Sequence, residues 1–221
     1  YFRSDDEQRT VMSGQIMLSA FFNSTSPSIV AWHTMDDAID EIAPNANACP
    51  ALNDASAAAY SSDEFVSSVN SSTTLQPLIN QLNAVWGEGA WNFYNCIDCV
   101  MTTVCTGRGI PPNSETGAEM NSTLFNEAVA QATKIYAYQA LYNDSRYSKL
   151  GMGRVVYNLR THLQAAVSNQ NKYAKFGLWS AHDTSIMPLL AALMGPSWDQ
   201  QWARYAAMVT IELYSATATS S

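Results

Sequence analysis

Apolar residues recur at helical spacing through the middle of the chain and gather at strand-like density only near its ends. Leu75, Leu78, Ile79, Leu82, Val85 and Trp86 share one helical face, with Ser71 and Ser72 as a start signal and Gly87 as a stop. A long helix is predicted over residues 122–142 and another over 150–167, where Val155, Val156, Leu159, Leu163 and Val167 stay in phase. Asp5, Asp6 and Glu7 precede the apolar-rich run 11–22, and acids suit the positive end of a helix dipole, so a helix should begin near Gln8. Residues 91–104 predict one more helix. The Ala-, Asn- and Ser-rich stretch 45–72 reads as loops with short helices, and the Gly- and Pro-containing stretch 106–117 as a loop.

Strand signals sit outside that helical middle. Tyr1 and Phe2 end an extended segment, and residues 28–34 form a second short one. Residues 176–181 are a short continuous apolar run, as in a buried parallel strand, followed by a helix over 185–194 that Gly195 ends. From Tyr205 to Tyr214 apolar and polar positions alternate, which predicts a last strand, and 215–221 is a polar tail. The fold expected is α/β: a mainly parallel central sheet flanked by helices, with an inserted helical lobe. Residues 1–44 and 146–221 would form the α/β core and 45–145 the helical cap.

Composition narrows the function classes. With 47% hydrophobic and 14% charged residues over 221 positions, the chain is not of disordered type and is long enough for one large domain or a domain with a lobe. Its 11 Lys and Arg against 19 Asp and Glu give a net charge of −8, a poor match to nucleic-acid phosphates. No apolar run is long enough to span a bilayer, and no fixed repeat is present. Residues 1–110 carry 12 acidic and 3 basic groups, residues 111–221 carry 7 and 8, and the scatter of the acids reads as a solvated face.

Cys49, Cys96, Cys99 and Cys105 admit several chemistries. A zinc site lacks a nearby fourth ligand, since His33 and His162 are remote, and a redox C-x-x-C lacks thioredoxin-like surroundings. Disulfides are the reading the sequons favour: Asn23, Asn70, Asn121 and Asn143 each open an N-glycosylation tripeptide. Four of them in a lysine-poor chain argue for the secretory route, hence a secreted, cell-surface or lysosomal location where disulfides persist. Four cysteines allow three connectivities, and Cys49 could instead pair outside this span. The chain shows no signal-peptide pattern, opening at Tyr1 without an apolar leader.

Two segments could carry chemistry. Ser180-Ala181-His182-Asp183-Thr184 closes a predicted strand and opens a helix, where free N–H groups suit an anion. The plainer alternative is a helix-capping aspartate beside a packed histidine. Arg3 and Ser4 follow an extended start, and the Arg3 guanidinium could fork onto a phosphate or simply lie on the surface. Arg9, inside the next helix, reads as an ion-pair partner for its acidic neighbours.

The segment Arg3-Ser4-Asp5-Asp6-Glu7-Gln8-Arg9-Thr10, with Met12-Ser13, resembles the R-S-T-D-x-D-R-T-x-x-S segment of the histidine acid phosphatases. Ser180-Ala181-His182-Asp183-Thr184 resembles that family's S-A-H-D-T motif, 211–214 its following strand, and Asn47-Ala48-Cys49-Pro50 a cysteine-proline segment of its lobe. The matches come in the family's order and cover most of the chain. Asp5 stands where the family has Thr and Gln8 where it has Asp; both lie off Arg3 and bear on local ion pairing. The resemblance implies a phosphomonoesterase acting through phosphohistidine without a cofactor. Arg3 would clamp phosphate oxygens, His182 would bind the phosphoryl group, and Asp183 would protonate the leaving alcohol.

The family's nucleophile lies in an R-H-G-x-R-x-P segment ahead of R-S. None of His33, His162 and His182 has Arg before it and Gly after it, and Gly107-Arg108-Gly109-Ile110-Pro111-Pro112 holds no histidine. The expectation is therefore a glycosylated acid phosphatase whose N-terminal strands and nucleophile lie outside this span, so that these 221 residues alone are inactive and fold poorly. The rival is a catalytically inactive relative serving as a structural or adhesive extracellular glycoprotein. Oligomeric state is not encoded legibly: Met12, Ile16, Phe21 and Phe22 suit either a core or an interface.

Overall fold

The computed structural model describes residues 1–22, 31–89, 98, 100–110, 112–168 and 174–214. Asn23, Cys96, Cys99, much of the helix expected over 91–104 and the 215–221 tail lie outside the described residues.

Three short strands form a parallel sheet in the order β2 (Trp32–His33), β1 (Phe2–Ser4), β3 (Leu178–Ser180). Phe2 pairs with Trp32 on one side and Leu178 on the other, and Ser4 pairs with Ser180. Between β1 and β2 runs α1 (Gln8–Phe22), starting where the acidic run led the sequence to predict. Its Gly14 is buried against the sheet, so close to the Phe2 ring that only a residue without Cβ fits. The Ser180 hydroxyl donates to the Thr10 carbonyl at 2.7 Å, tying β3 to the first turn of α1.

The helical middle contains α2 (Ala51–Tyr60), a π-helical turn at Phe65–Val69, α3 (Ser72–Trp86) and the short α4 (Thr102–Cys105). Gly87 ends α3 at φ 94°, a conformation glycine adopts at little cost. Leu78, Leu82 and Val85 of α3 bury against Leu124 and Ala128 of the next helix, so the periodic face seen in the sequence is a packing face.

That next helix, α5 (Ser122–Val167), is two arms joined at a break. Tyr142 turns extended, and Asn143, Asp144 and Ser145 take φ of 50°, 57° and 57°. Left-handed backbone costs about 1–2 kcal/mol per non-glycine residue, and Asn and Asp tolerate it best. Burial of Ser145, and of Ser148 whose hydroxyl donates to the Ala140 carbonyl at 2.8 Å, holds the break in place. The first arm packs Ala132, Tyr136, Ala137 and Ala140 against Met187 and Ala191 of α6 (Asp183–Met194) and against Trp198 and Trp202. The second arm adds Met152 and Val155 against Leu189.

One predicted element is absent. The alternating stretch 205–214 forms no strand. It opens instead on a turn closed by the Ala207 N–H to the Arg204 carbonyl at 3.0 Å, with Ala206 at φ 59°. Alternation makes a strand only where a neighbouring edge supplies a hydrogen-bond ladder, and among the described residues none lies beside it. Tyr205, Met208, Ile211, Leu213 and Tyr214 are exposed as a result.

Candidate active site

The C-terminal end of a parallel sheet is where α/β folds gather ligand-binding groups, because strand ends and helix starts converge there. β1 and β3 are adjacent, and the pairing of Ser4 with Ser180 brings the residues that follow each strand side by side. Two segments nearly 180 residues apart in sequence thus share one edge.

Arg3 lies within β1, mostly buried. Its Nη2 donates to Asp40 Oδ1 at 2.6 Å, and its Nη1 donates to the Ser4 carbonyl. Asp40 is buried, and its Oδ1 also accepts the Ile42 N–H at 2.9 Å. Its Oδ2 is buried without a hydrogen-bond partner among the described residues. The charged, hydrogen-bonded pair fixes the guanidinium. Asp40 belongs to no motif, and its role could be read only from the tertiary contact.

His182 is the N-cap residue of α6 in an extended conformation, so the helix starts at Asp183, two residues earlier than expected. The capping alternative from the sequence therefore falls to the histidine rather than the aspartate. The His182 N–H reaches Ser185 Oγ at 3.4 Å, and Nε2 of its ring contacts Asp5 Oδ2 in a buried ion pair. Asp5 is 2% exposed, and its Oδ1 accepts from the Thr10 hydroxyl and from the Glu7 N–H at 3.3 Å.

The hydrogen bond to Asp5 raises the His182 pKa above its ordinary value. Burial opposes this, the Asp5 and Asp183 charges reinforce it, and Arg9 works against it. Burial pushes the Asp5 carboxyl up, but hydrogen bonds from His182 and Thr10, the imidazolium charge and the Glu7 amide together hold it below its ordinary value. In the sequence Asp5 was only a departure from a pattern; the signal that could have found it is its position, one residue past β1 and opposite the end of β3.

Asp183 is half-buried. Its Oδ1 accepts the Thr184 N–H at 2.8 Å and its Oδ2 accepts Trp202 Nε1–H at 2.7 Å. Each oxygen keeps a lone pair on which a proton could sit. Trp202, a tertiary partner from beyond α6, carried no recognisable signal in the sequence.

The other singled-out residues lie elsewhere. His33 is exposed at the end of β2 and stacks on the Tyr1 ring at 4.7 Å. His162, on the second arm of α5, packs on Tyr1 and Trp179, and burial first, then the N-terminal charge, lowers its pKa. Arg9 pairs with Glu7 at 2.9 Å on the surface, as its acidic neighbours suggested. Cys49 is half-buried and Cys105 exposed, and among the described residues neither is disulfide-bonded. Asn70, Asn121 and Asn143 are exposed, and Asn121 caps α5 by accepting the Leu124 N–H at 2.8 Å. Among the described residues no helix is long and apolar enough to cross a membrane.

Comparison with known proteins shows the family to which the chain belongs. The chain is 25% identical over 230 residues to Counting factor 60 of Dictyostelium discoideum, an alignment covering 97% of this chain and 50% of that protein. The chain thus spans about half the length of the curated relative it matches. The family model of the histidine phosphatase superfamily (branch 2) matches residues 1–221, and the chain belongs to that superfamily.

Proposed function

We propose that this chain supplies the phosphate-binding and proton-donating part of an acid phosphomonoesterase that works through a phosphohistidine intermediate. The observation that carries the reading is the convergence of Arg3 and the His182–Asp183 pair at one end of the adjacent parallel strands β1 and β3. Arg3 and His182 donate to the equatorial oxygens of the transferring phosphoryl group, where charge builds up. Asp183 gives its proton to the leaving alcohol oxygen.

In the first step an imidazole nitrogen attacks phosphorus, the N–P bond forms as the P–O ester bond breaks, and the alcohol departs with the proton. Water then attacks phosphorus, the N–P bond breaks, and orthophosphate leaves. We assign the attacking histidine to residues outside these 221, since none of the three present has the Arg-His-Gly context. In this reading residues 1–44 and 146–221 form the phosphatase core and 45–145 a cap over the substrate. Its setting is secreted or lumenal, with glycans on Asn23, Asn70, Asn121 and Asn143 and disulfides drawn from Cys49, Cys96, Cys99 and Cys105.

A second reading, a phosphatase-like structural or adhesive glycoprotein without turnover, is favoured by one feature. Both cations already carry internal carboxylates, Arg3 with Asp40 and His182 with Asp5. Counting Asp183 as well, three carboxylates face two cations, which opposes a phosphate dianion unless further positive groups join them. Counting factor 60, moreover, is not named as a phosphatase.

The test is hydrolysis of p-nitrophenyl phosphate at acid pH by the native full-length protein, with Arg3→Ala and His182→Ala as controls. Removing one preorganised donor costs on the order of 100-fold or more in rate, and enzyme quenched in alkaline denaturant should hold an N–P bond that is stable to base and lost on acid treatment. Absence of turnover over the acid range, or turnover indifferent to His182→Ala, would overturn the enzymatic reading in favour of the second.

A further inference from the structure

We propose that Asp5 is a positioning residue for His182: its carboxylate, fixed by the Thr10 hydroxyl and the Glu7 amide, holds the ring in one orientation and one charge state, as a phosphoryl-binding cation and not a nucleophile. The inference rests on the phosphate-site reading above and names what makes this histidine suit it.

Asp5 is the first residue past β1 and His182 the second past β3; the parallel register brings these two strand ends together, and the His182 ring reaches across to the Asp5 carboxylate. The carboxylate is aimed before the histidine is considered: Oδ1 accepts from Thr10 and Glu7 in the first turn of α1, which leaves Oδ2 directed at Nε2. The Asp5 side chain is only 4% exposed and that of His182 18%, so water competes weakly for either group.

A carboxylate on Nε2 requires a proton there and stabilises a second proton on the ring. The charged groups facing His182 are Asp5 from the loop after β1, Arg9 from α1 and its own neighbour Asp183; the two acids favour the imidazolium and Arg9 opposes it. An imidazolium donates to phosphoryl oxygens but has no lone pair with which to attack phosphorus. The contact also ties the β1–α1 loop to the start of α6, so the strand carrying Arg3 and the helix carrying Asp183 are set by one ion pair.

The experiment is histidine-selective NMR titration of the native full-length protein, followed by Asp5→Asn and Asp5→Glu. In the native protein the His182 midpoint should lie above 6.5 and above that of His162, which burial depresses. Asp5→Asn should lower it by about one pH unit or more, with the alkaline edge of orthophosphate binding moving down in step; Asp5→Glu should restore part of both. A native His182 midpoint at or below that of His162 overturns the proposal, as does an Asp5→Asn protein in which midpoint and binding edge stay put. Should Asp5→Asn fail to fold, the comparison of the two native histidines decides alone. Absence of orthophosphate binding at any pH would sink the phosphate-site reading, while the titration would still decide the role of Asp5.

Discussion

Replacing Gly14 with alanine tests the packing that places the site. A Cβ at residue 14 would lie 2.2 Å from Phe2 Cζ, 2.5 Å from Phe2 Cε2 and 3.3 Å from Ser180 Cβ. Carbon atoms in good contact sit about 3.5–4.0 Å apart, so the ring or the helix must shift by more than an ångström. The ring has nowhere to go: Phe2 is fully buried, and its centroid is 3.7 Å from that of Trp32. Overpacking costs roughly 1–3 kcal/mol, and a hemmed-in ring puts this case near the top of that range. Alanine's better helix propensity returns about 1 kcal/mol, leaving a net loss of about 2 kcal/mol. For a chain of this size each kcal/mol moves Tm by about 2–4 °C, so Gly14→Ala should melt about 4–8 °C lower. The assay is thermal melting of the native protein, Gly14→Ala, Phe2→Leu and the double variant. In the Phe2→Leu background the alanine penalty should shrink by more than half, since the two positions are in contact. A Gly14→Ala protein as stable as the native one, or an equal penalty in both backgrounds, would refute the close packing of α1 on β1.

Two further outcomes follow from the charged groups. Asp40→Ala leaves the Arg3 guanidinium largely buried without its partner and should cost about 3–5 kcal/mol in urea unfolding. The Arg3→Ala/Asp40→Ala double variant should recover part of that loss, and simple additivity would count against the pair. The Asp5–His182 pair should make stability depend on pH at both ends. His182 has its pKa raised, so its contribution is complete below its ordinary value of 6.5 and is lost as pH rises through the folded-state value. Asp5 has its pKa lowered, so its contribution is complete above 3.8 and is lost as pH falls through the folded-state value. The Tm difference between the native protein and His182→Gln should therefore be widest between these two ordinary values and shrink on either side. A difference flat from acid to alkaline pH would rule out a charged pair.

What the sequence made legible depended on whether the deciding interactions were local. The bounds of α3 were readable because its start signal, periodic face and glycine stop all lie within one segment. The start of α1 was readable for the same reason. The end of the first arm of α5 was placed at Tyr142, where the helical backbone breaks, yet the sequence implied a longer gap before the next helix than exists. No Gly or Pro marks the break; Asn143, Asp144 and Ser145 make it, held by the burial of Ser145 and Ser148. The stretch 205–214 shows the reverse error: its alternation is a local pattern, but a strand is a property of two chain segments, and the second is not among the described residues.

The site follows the same rule. Arg3, His182 and Asp183 could be singled out because each stands at a strand or helix boundary, a position local signals reveal. Asp40 and Trp202, which hold two of them, could not, because only folding brings residue 40 to residue 3 and residue 202 to residue 183. Asp5 lies between the two cases. Read along the chain it is a substitution two residues from Arg3 that bears only on local ion pairing. Read across the sheet it meets His182: the pairing of Ser4 with Ser180 sets Asp5 beside Ala181, one residue short of His182, whose ring then reaches the Asp5 carboxylate. A departure from a family pattern at a strand end is therefore to be judged against the neighbouring strand rather than the neighbouring residue. Here that comparison turns a change that bears on local ion pairing into a buried carboxylate in contact with the His182 ring.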